Sequence, residues 1–306
     1  MPLLESVALD LDLEDLESGI ADTIITEDKV FNVLDFKVLD GFALVINREE
    51  TLADADFVGI GKPISESAST TTKIIVEPKQ IVGDVHIDKF LARKTSHRQS
   101  QVEIQIAKKA KAVGRRYRNA FINGDATANP DSFDGLSNIV AAGQVINPTS
   151  DVGNGGDYSL EDLDKLVDLV QAGEPALIAM HRRGIRFYKK LLRGAGGTDS
   201  AMLELENFGK PVLTFAGIPV LPNDWIPTNL TKGAGTALSR IFAMTFGELA
   251  GVTGIVPDDQ AGIEVENLGT LQTRNAQAIR VLWYAGLALY STLGLAMLDN
   301  CKDTGV

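Results

Sequence analysis

Counting from Asn123, side-chain oxygens fall at alternate positions, Asn123, Asp125, Thr127, Asn129 and Asp131, and Asp134 stands at the twelfth place. This spacing approaches a calcium loop, in which alternating oxygens wrap a hard cation. It departs from that pattern where geometry matters most. The sixth position is Ala128 where the sharp turn needs glycine, the twelfth is Asp in place of a bidentate Glu, and Pro130 stiffens the loop. The competing reading is a turn whose Asn and Asp side chains satisfy neighbouring backbone groups, and the sequence favours it.

The other candidate constellations are each weaker than a plain structural role. Lys108, Lys109, Lys111, Arg115, Arg116 and Arg118 cluster just before the loop and could track phosphates. No aromatic residues interleave with them to stack bases, so a solvated or interface-paired face is the preferred reading. The glycine-rich stretch 193–201, RGAGGTDSA, offers an anion cradle but lacks the lysine spacing of a phosphate loop, and reads as a flexible loop. Asp258 with Asp259 and Glu264 with Glu266 are paired acids, yet no histidine, nucleophile or metal ligand lies near them in sequence. The three histidines, His86, His97 and His181, are scattered without ligand spacing. The single cysteine, Cys301, excludes an intramolecular disulfide framework and reads as a bystander. The expectation is therefore no catalytic, cofactor or metal site, and no enzyme.

The elements around these residues belong to an ordinary globular chain: 306 residues, 44% hydrophobic and 23% charged, with enough apolar surface for one large or two smaller cores. The formal net charge of -12 argues against a dedicated DNA-binding domain. The N-terminus lacks the basic start of a secretory signal, and no apolar run reaches the roughly 18 residues of a membrane span. A soluble, unexported protein is expected.

Along the chain, an acidic amphipathic piece covers Leu11–Ile20 and a strand-like piece Val30–Val45. A long polar alternating stretch follows from Asn47 to Val82, in which DFVGI (56–60) and TTKIIVEP (71–78) read as two strands of a hairpin with little core of its own. Val102, Ile106, Ala110, Val113, Tyr117 and Phe121 recur at helical spacing and predict a long helix over about 98–122, with Gly124 as a left-handed C-cap. Beyond a break at 149–159 the pattern turns to α/β. Ser159 and Asp162 open a capped helix running to Gly173, PALIAM is a buried strand, His181 begins a second helix ending at Gly194, and Ala216–Gly217 turn a hairpin. The remainder is apolar and strand-rich.

The order of an acidic arm, a long ribbon, a spine helix ending before DSFDGL (131–136), an α/β region with GIPVLPND (217–224) and a closing block TRNAQAIRVLWYAGLALY (273–290) resembles the major capsid proteins of tailed bacteriophages with the HK97-type fold. The resemblance implies an α+β fold with residues 1–40 as N-arm, 41–84 as E-loop and its base, 85–150 with 256–306 as P-domain, and 151–255 as A-domain. It implies a shell protein that assembles into hexamers and pentamers of an icosahedral head enclosing double-stranded DNA. The partners implied are other copies of the chain, separate scaffolding, portal and cement proteins, and DNA by weak non-specific contact, with no membrane. The location implied is the virion capsid, and the host cytoplasm during assembly. Lys62, Lys73, Arg115, Arg116 and Asn275 are the candidate inter-subunit contacts.

Relatives that weld their shells join an E-loop lysine to an asparagine, using a glutamate seven residues beyond it. Asn275 fits the asparagine and Lys62 or Lys73 the lysine, but Leu282 stands at the glutamate position, so no isopeptide cross-linking is expected. The chain also begins almost at the arm, which implies scaffolding by a separate protein or an already processed form. An encapsulin-like cellular compartment is the alternative within the same fold. A small-molecule enzyme using RGAGGTD is the alternative outside it.

Overall fold

The computed structural model describes residues 33–39, 41–51, 68–89, 101–196, 202–204, 211–257 and 262–303, with three isolated positions between 53 and 57. The acidic piece 11–20 lies outside the described residues. The chain enters through β1 (Phe36–Leu39), bends at Gly41–Ala43, and runs up β2 (Leu44–Thr51), back along β3 (Thr70–Val76) and into β4 (Lys79–Asp88). The helices α1 (Gln101–Asn123) and α2 (Leu136–Ile139) come next, then the two-residue β5 (Val145–Ile146) and α3 (Leu160–Asp168). After β6 (Leu177–Met180) and α4 (Arg182–Gly194) the chain forms β7 (Met202–Glu204), β8 (Pro211–Phe215), β9 (Ile218–Pro222), β10 (Leu230–Lys232) and β11 (Gly235–Met244). It closes with β12 (Val252–Pro257), β13 (Glu264–Thr270), β14 (Ala276–Leu289) and β15 (Leu295–Cys301).

The 14-residue β14 is the axis of a five-stranded sheet. Its first part lies between β13 and β4, in register from Ala276 opposite Asp88 to Ala285 opposite Lys79, and its last part pairs with β12, which β1 joins in parallel. The long helix lies across this sheet because its apolar residues repeat every three to four positions. Ile106, Ala110, Val113, Tyr117 and Phe121 are all buried. The Tyr117 ring sits 4.5 Å from Trp283 and 5.5 Å from Phe133, so strand, helix and the segment after the helix meet at one aromatic cluster. Each such large side chain contributes roughly 1.5–3 kcal/mol by leaving water.

The second sheet has eight strands in the order β5-β15-β11-β6-β9-β8-β7, with β10 beside β11. Its central strands β6, β11 and β15 are buried on both faces over much of their length and divide their side chains by alternation. Leu177, Ala179, Phe242, Met244, Leu295 and Met297 face the core shared with α1, while Ile178, Met180, Ile241, Ala243, Ala296 and Leu298 face α3 and α4. The Ser159 capping box, with Asp162 at the third helical position as its partner, starts α3, and the imidazole of His181 accepts from the Arg183 amide to start α4. Ala216 and Gly217 have φ of 50° and 84°, the doubly left-handed turn that joins β8 to β9.

Four expectations need correction. The strand found facing Thr70–Val76 is Leu44–Thr51, because Leu44 and Ile46 supply an apolar face that packs with Ile74, Val76 and the cluster of Leu39, Ile255 and Ala288; of the expected partner 56–60, all but Phe57 lies outside the described residues. Gly124 is not left-handed. It is glycine because a Cβ there would meet the Phe133 carbonyl at 2.3 Å and the Ala120 carbonyl at 2.5 Å. Helix α3 stops at Asp168, since the Gln171 and Ala172 amides turn to the Leu293 carbonyl; Gly173, at φ 131°, comes after the turn. Finally, β15 lies in the eight-stranded sheet beside β11, although the resemblance groups 256–306 with the spine helix: its alternating Leu295, Met297 and Ala296, Leu298 need a two-faced core.

Candidate assembly surface

The loop after α1 is built as a corner. The Asp134 carboxylate accepts from the Ala126 amide at 2.8 Å, Asp125 accepts from Thr127 and Ala128, and Asn129 accepts from Asp131. Asn123 donates to the Trp225 carbonyl at 2.8 Å, and the Gly135 amide donates to the Gly124 carbonyl at 2.9 Å. Three of the six side chains whose spacing resembled a cation loop, Asp125, Asn129 and Asp134, thus accept from the loop's own backbone. Phe133 and Leu136 then turn inward and bury against the spine helix.

The β2–β3 ribbon has two unlike faces. Leu44, Ile46, Ile74 and Val76 lie over the β12–β14 end of the first sheet, while Val45 and Ile75 are exposed on the other side. Arg48 roots the ribbon: its guanidinium donates to the Leu289 carbonyl at 2.6 Å and to the Tyr290 carbonyl at 3.0 Å. Sequence reading did not single out Arg48, because its partners are more than 240 residues away. A groove of about 350 Å³ opens between this root and the corner, lined by Arg48, Ile74, Val76, Phe133, Leu287 and Leu289. A two-stranded ribbon held, among the described residues, at its root needs a further surface for the rest of its length. Phe42, at the bend before β2, is also almost fully exposed.

The candidate contact residues divide as follows. Arg115 and Arg116 are exposed on α1, with the Arg115 guanidinium 6.0 Å from the Trp225 ring centre. Lys73 is exposed on β3 opposite Asn47. Asn275 is exposed just before β14, its carbonyl accepting from the Lys89 amide. Because the ribbon packs at the Ala288 end of β14, the length of that strand lies between Lys73 and Asn275, on the order of 40 Å at about 3.3 Å per residue. The two do not meet within one subunit. Lys62 lies outside the described residues, as do Asp258, Asp259 and positions 197–201 of the glycine-rich stretch. Leu282 is buried between Val82 and Glu264 in the sheet, an apolar side chain where welding chemistry would need a carboxylate.

The phage capsid family matches residues 14–300, nearly the whole chain. The chain belongs to the phage capsid family. Among solved structures this capsid-family chain is similar to the holo-SrpI encapsulin complex of Synechococcus elongatus PCC 7942, with a TM-score of 0.71 at 21% identity over 90% of this chain and 88% of that one. It is similar to the capsid of the native GTA particle, with a TM-score of 0.65 at 16% identity over 89% of each chain. Mycobacterium phage Adephagia follows at 0.59 and 14%, again over 89% of each. These likenesses show the HK97-type capsid fold. In sequence, the chain is 30% identical over 177 residues to the Type 2A encapsulin shell protein SrpI of Synechococcus elongatus, covering 56% of this chain. The match spans about half of that relative, 52% of its length.

Proposed function

We propose that this chain is the major shell protein of an icosahedral phage head, self-assembling into hexamers and pentamers around double-stranded DNA. The observation that carries the reading is the family match across 14–300 on a fold whose ribbon lacks a core of its own. In this reading β2–β3 is the E-loop, α1 the spine of the P-domain, and 151–255 with β15 the A-domain. Residues 1–40 are the N-arm. Lys62, Lys73, Arg115, Arg116 and Asn275 contact neighbouring copies, and the particle holds together without isopeptide bonds. Scaffolding, portal and cement functions fall to separate proteins. Assembly takes place in the host cytoplasm, and the product is the virion capsid.

A second reading, a cellular compartment that holds a protein cargo, is favoured by the likeness to SrpI in both sequence and fold. One experiment tests both. Particles purified from the native source and treated with nuclease are imaged by negative stain, and their contents are separated. Protected double-stranded DNA supports the phage head, a stoichiometric co-purifying protein without DNA supports the compartment, and a monomer or dimer under all conditions overturns the shell.

A further inference from the structure

The chain contains two Asn–Gly steps, Asn123–Gly124 and Asn154–Gly155. Such a step carries its own reagents. The backbone nitrogen after the asparagine can attack the side-chain amide carbon, and glycine leaves that nitrogen unshielded by a Cβ. The fold treats the two steps in opposite ways. Asn123 ends α1, its carboxamide donating to the Trp225 carbonyl at 2.8 Å while the Gly124 amide donates to the Ala120 carbonyl at 2.8 Å. Gly124 is buried between the Phe133 and Ala120 carbonyls, so the nitrogen and the carboxamide are held apart.

Asn154 is exposed and lies between Gly153 and Gly155, which stand at φ of 101° and 74°. Glycine on both sides lets the backbone pivot at this asparagine. The Gly155 amide donates to Asp151 Oδ1 at 2.9 Å, and Asn154 Oδ1 accepts from the Ala234 amide at 2.8 Å. The other Asp151 oxygen meets the Lys232 ammonium at 2.6 Å, a contact that pulls the Asp151 pKa down and keeps the carboxylate ionised, able to take a proton. The Ala234 amide stands where negative charge grows on Oδ1 as the amide carbon becomes tetrahedral. A base and an oxyanion donor thus flank one bond-forming pair.

We propose that Asn154–Gly155 is a self-modification site, at which the chain converts its own asparagine to aspartate and isoaspartate through a succinimide. The Gly155 nitrogen bonds to Asn154 Cγ and gives its proton to Asp151. The Cγ–Nδ2 bond then breaks, and the amide nitrogen leaves as ammonia with that proton. Water opens the ring at one carbonyl or the other, giving aspartate or isoaspartate. All the reacting groups belong to one chain, so the site is independent of the shell reading. Residues 153–155 sit against the turn from β10 to β11 so closely that a Cβ on Gly233 would strike Asn154 Oδ1, and one on Gly235 the Asn154 carbonyl. Isoaspartate lengthens the main chain by a methylene inside that contact, and either product adds a negative charge to the loop that holds Asp151. The modification therefore releases the loop from the turn.

The test uses the full purified chain, aged for days in warm, mildly alkaline buffer, with conversion at each asparagine read by peptide mass spectrometry. In the folded protein Asn154 should convert at least about tenfold faster than Asn123, and in concentrated urea the two rates should converge. Asp151→Asn should slow conversion at Asn154 about tenfold and leave Asn123 unchanged. Hydrogen exchange at the Ala234 amide should be faster in the converted fraction, and unchanged exchange there overturns the release of the loop. Equal rates at the two steps in the folded chain overturn the site. So does slower conversion of Asn154 in the folded chain than in urea, a comparison that needs no variant. Unchanged or faster conversion in folded Asp151→Asn would mean that the carboxylate only holds the loop, and overturns its role as base.

Discussion

Arg48 of the ribbon donates through Nη2 to the carbonyl of Leu289 at 2.6 Å, tying the second strand of the chain to the end of its second-last strand. The ribbon's own apolar contacts gather around four side chains, so this guanidinium fixes the angle at which the hairpin leaves the body. Its half-buried position pushes its pKa down, yet it stays charged, and a charged donor to two carbonyls is worth about 1.5–3 kcal/mol.

Arg48→Ala should therefore leave a folded subunit with a melting temperature lowered by a few degrees, but cut particle yield much further. Circular dichroism of the subunit against negative-stain counts of particles checks this. Equal losses in both would mean that the ribbon is an ordinary part of the fold.

Gly124→Ala tests the corner. An added methyl meets two backbone carbonyls that no rotamer change can move, so a loss of about 1–3 kcal/mol is expected, measured by denaturant unfolding of the subunit. Gly143→Ala, with open space around it, serves as the control and should cost little.

Asp162 is buried, which pushes its pKa up, but hydrogen bonds from Thr149 and Ser159 outweigh the burial and hold it below the usual carboxylate value. A carboxylate depressed in the fold adds stability that is present above its unfolded value, near pH 4, and is lost as pH falls through the folded one. Asp162→Asn should be less stable than the wild type by about 1–3 kcal/mol at pH 7, with the gap closing below about pH 4. A gap independent of pH would place the effect in shape and not in charge.

Much of this arrangement could be read from local spacing. The core stripe of α1, the Ser159 to Asp162 cap and the Ala216–Gly217 turn each depend on residues within one or two turns of one another. The misread features depend on distant neighbours. Gly124 answers to Phe133 and Gly135 across the corner, Arg48 to Leu289, and β15 to β11, none of which local periodicity can register. The pairing of β2 with β3 was obscured because both strands are polar beyond their roots, so alternation could not distinguish Leu44–Thr51 from 56–60 as the partner. The candidate contact residues share this limit: one subunit shows that Lys73 and Asn275 are exposed, and the proposed partners would lie on another copy.

On the shell reading, Leu282 bears on whether neighbouring copies are joined covalently. Joining a lysine amine to an asparagine amide releases ammonia and needs a base to take the amine proton, since a protonated amine is no nucleophile. Leu282 is 1% exposed and packed in the sheet, seven residues beyond Asn275, and offers no such group. Purified particles boiled in denaturant should run as a single band near the 32.8 kDa of the free chain. A ladder of covalent multiples would show that another carboxylate, supplied by a neighbouring subunit, performs the step. With no weld, cohesion falls to the ribbon and arm contacts, so particles should dissociate in moderate denaturant before the subunits unfold, which light scattering and circular dichroism followed together will separate.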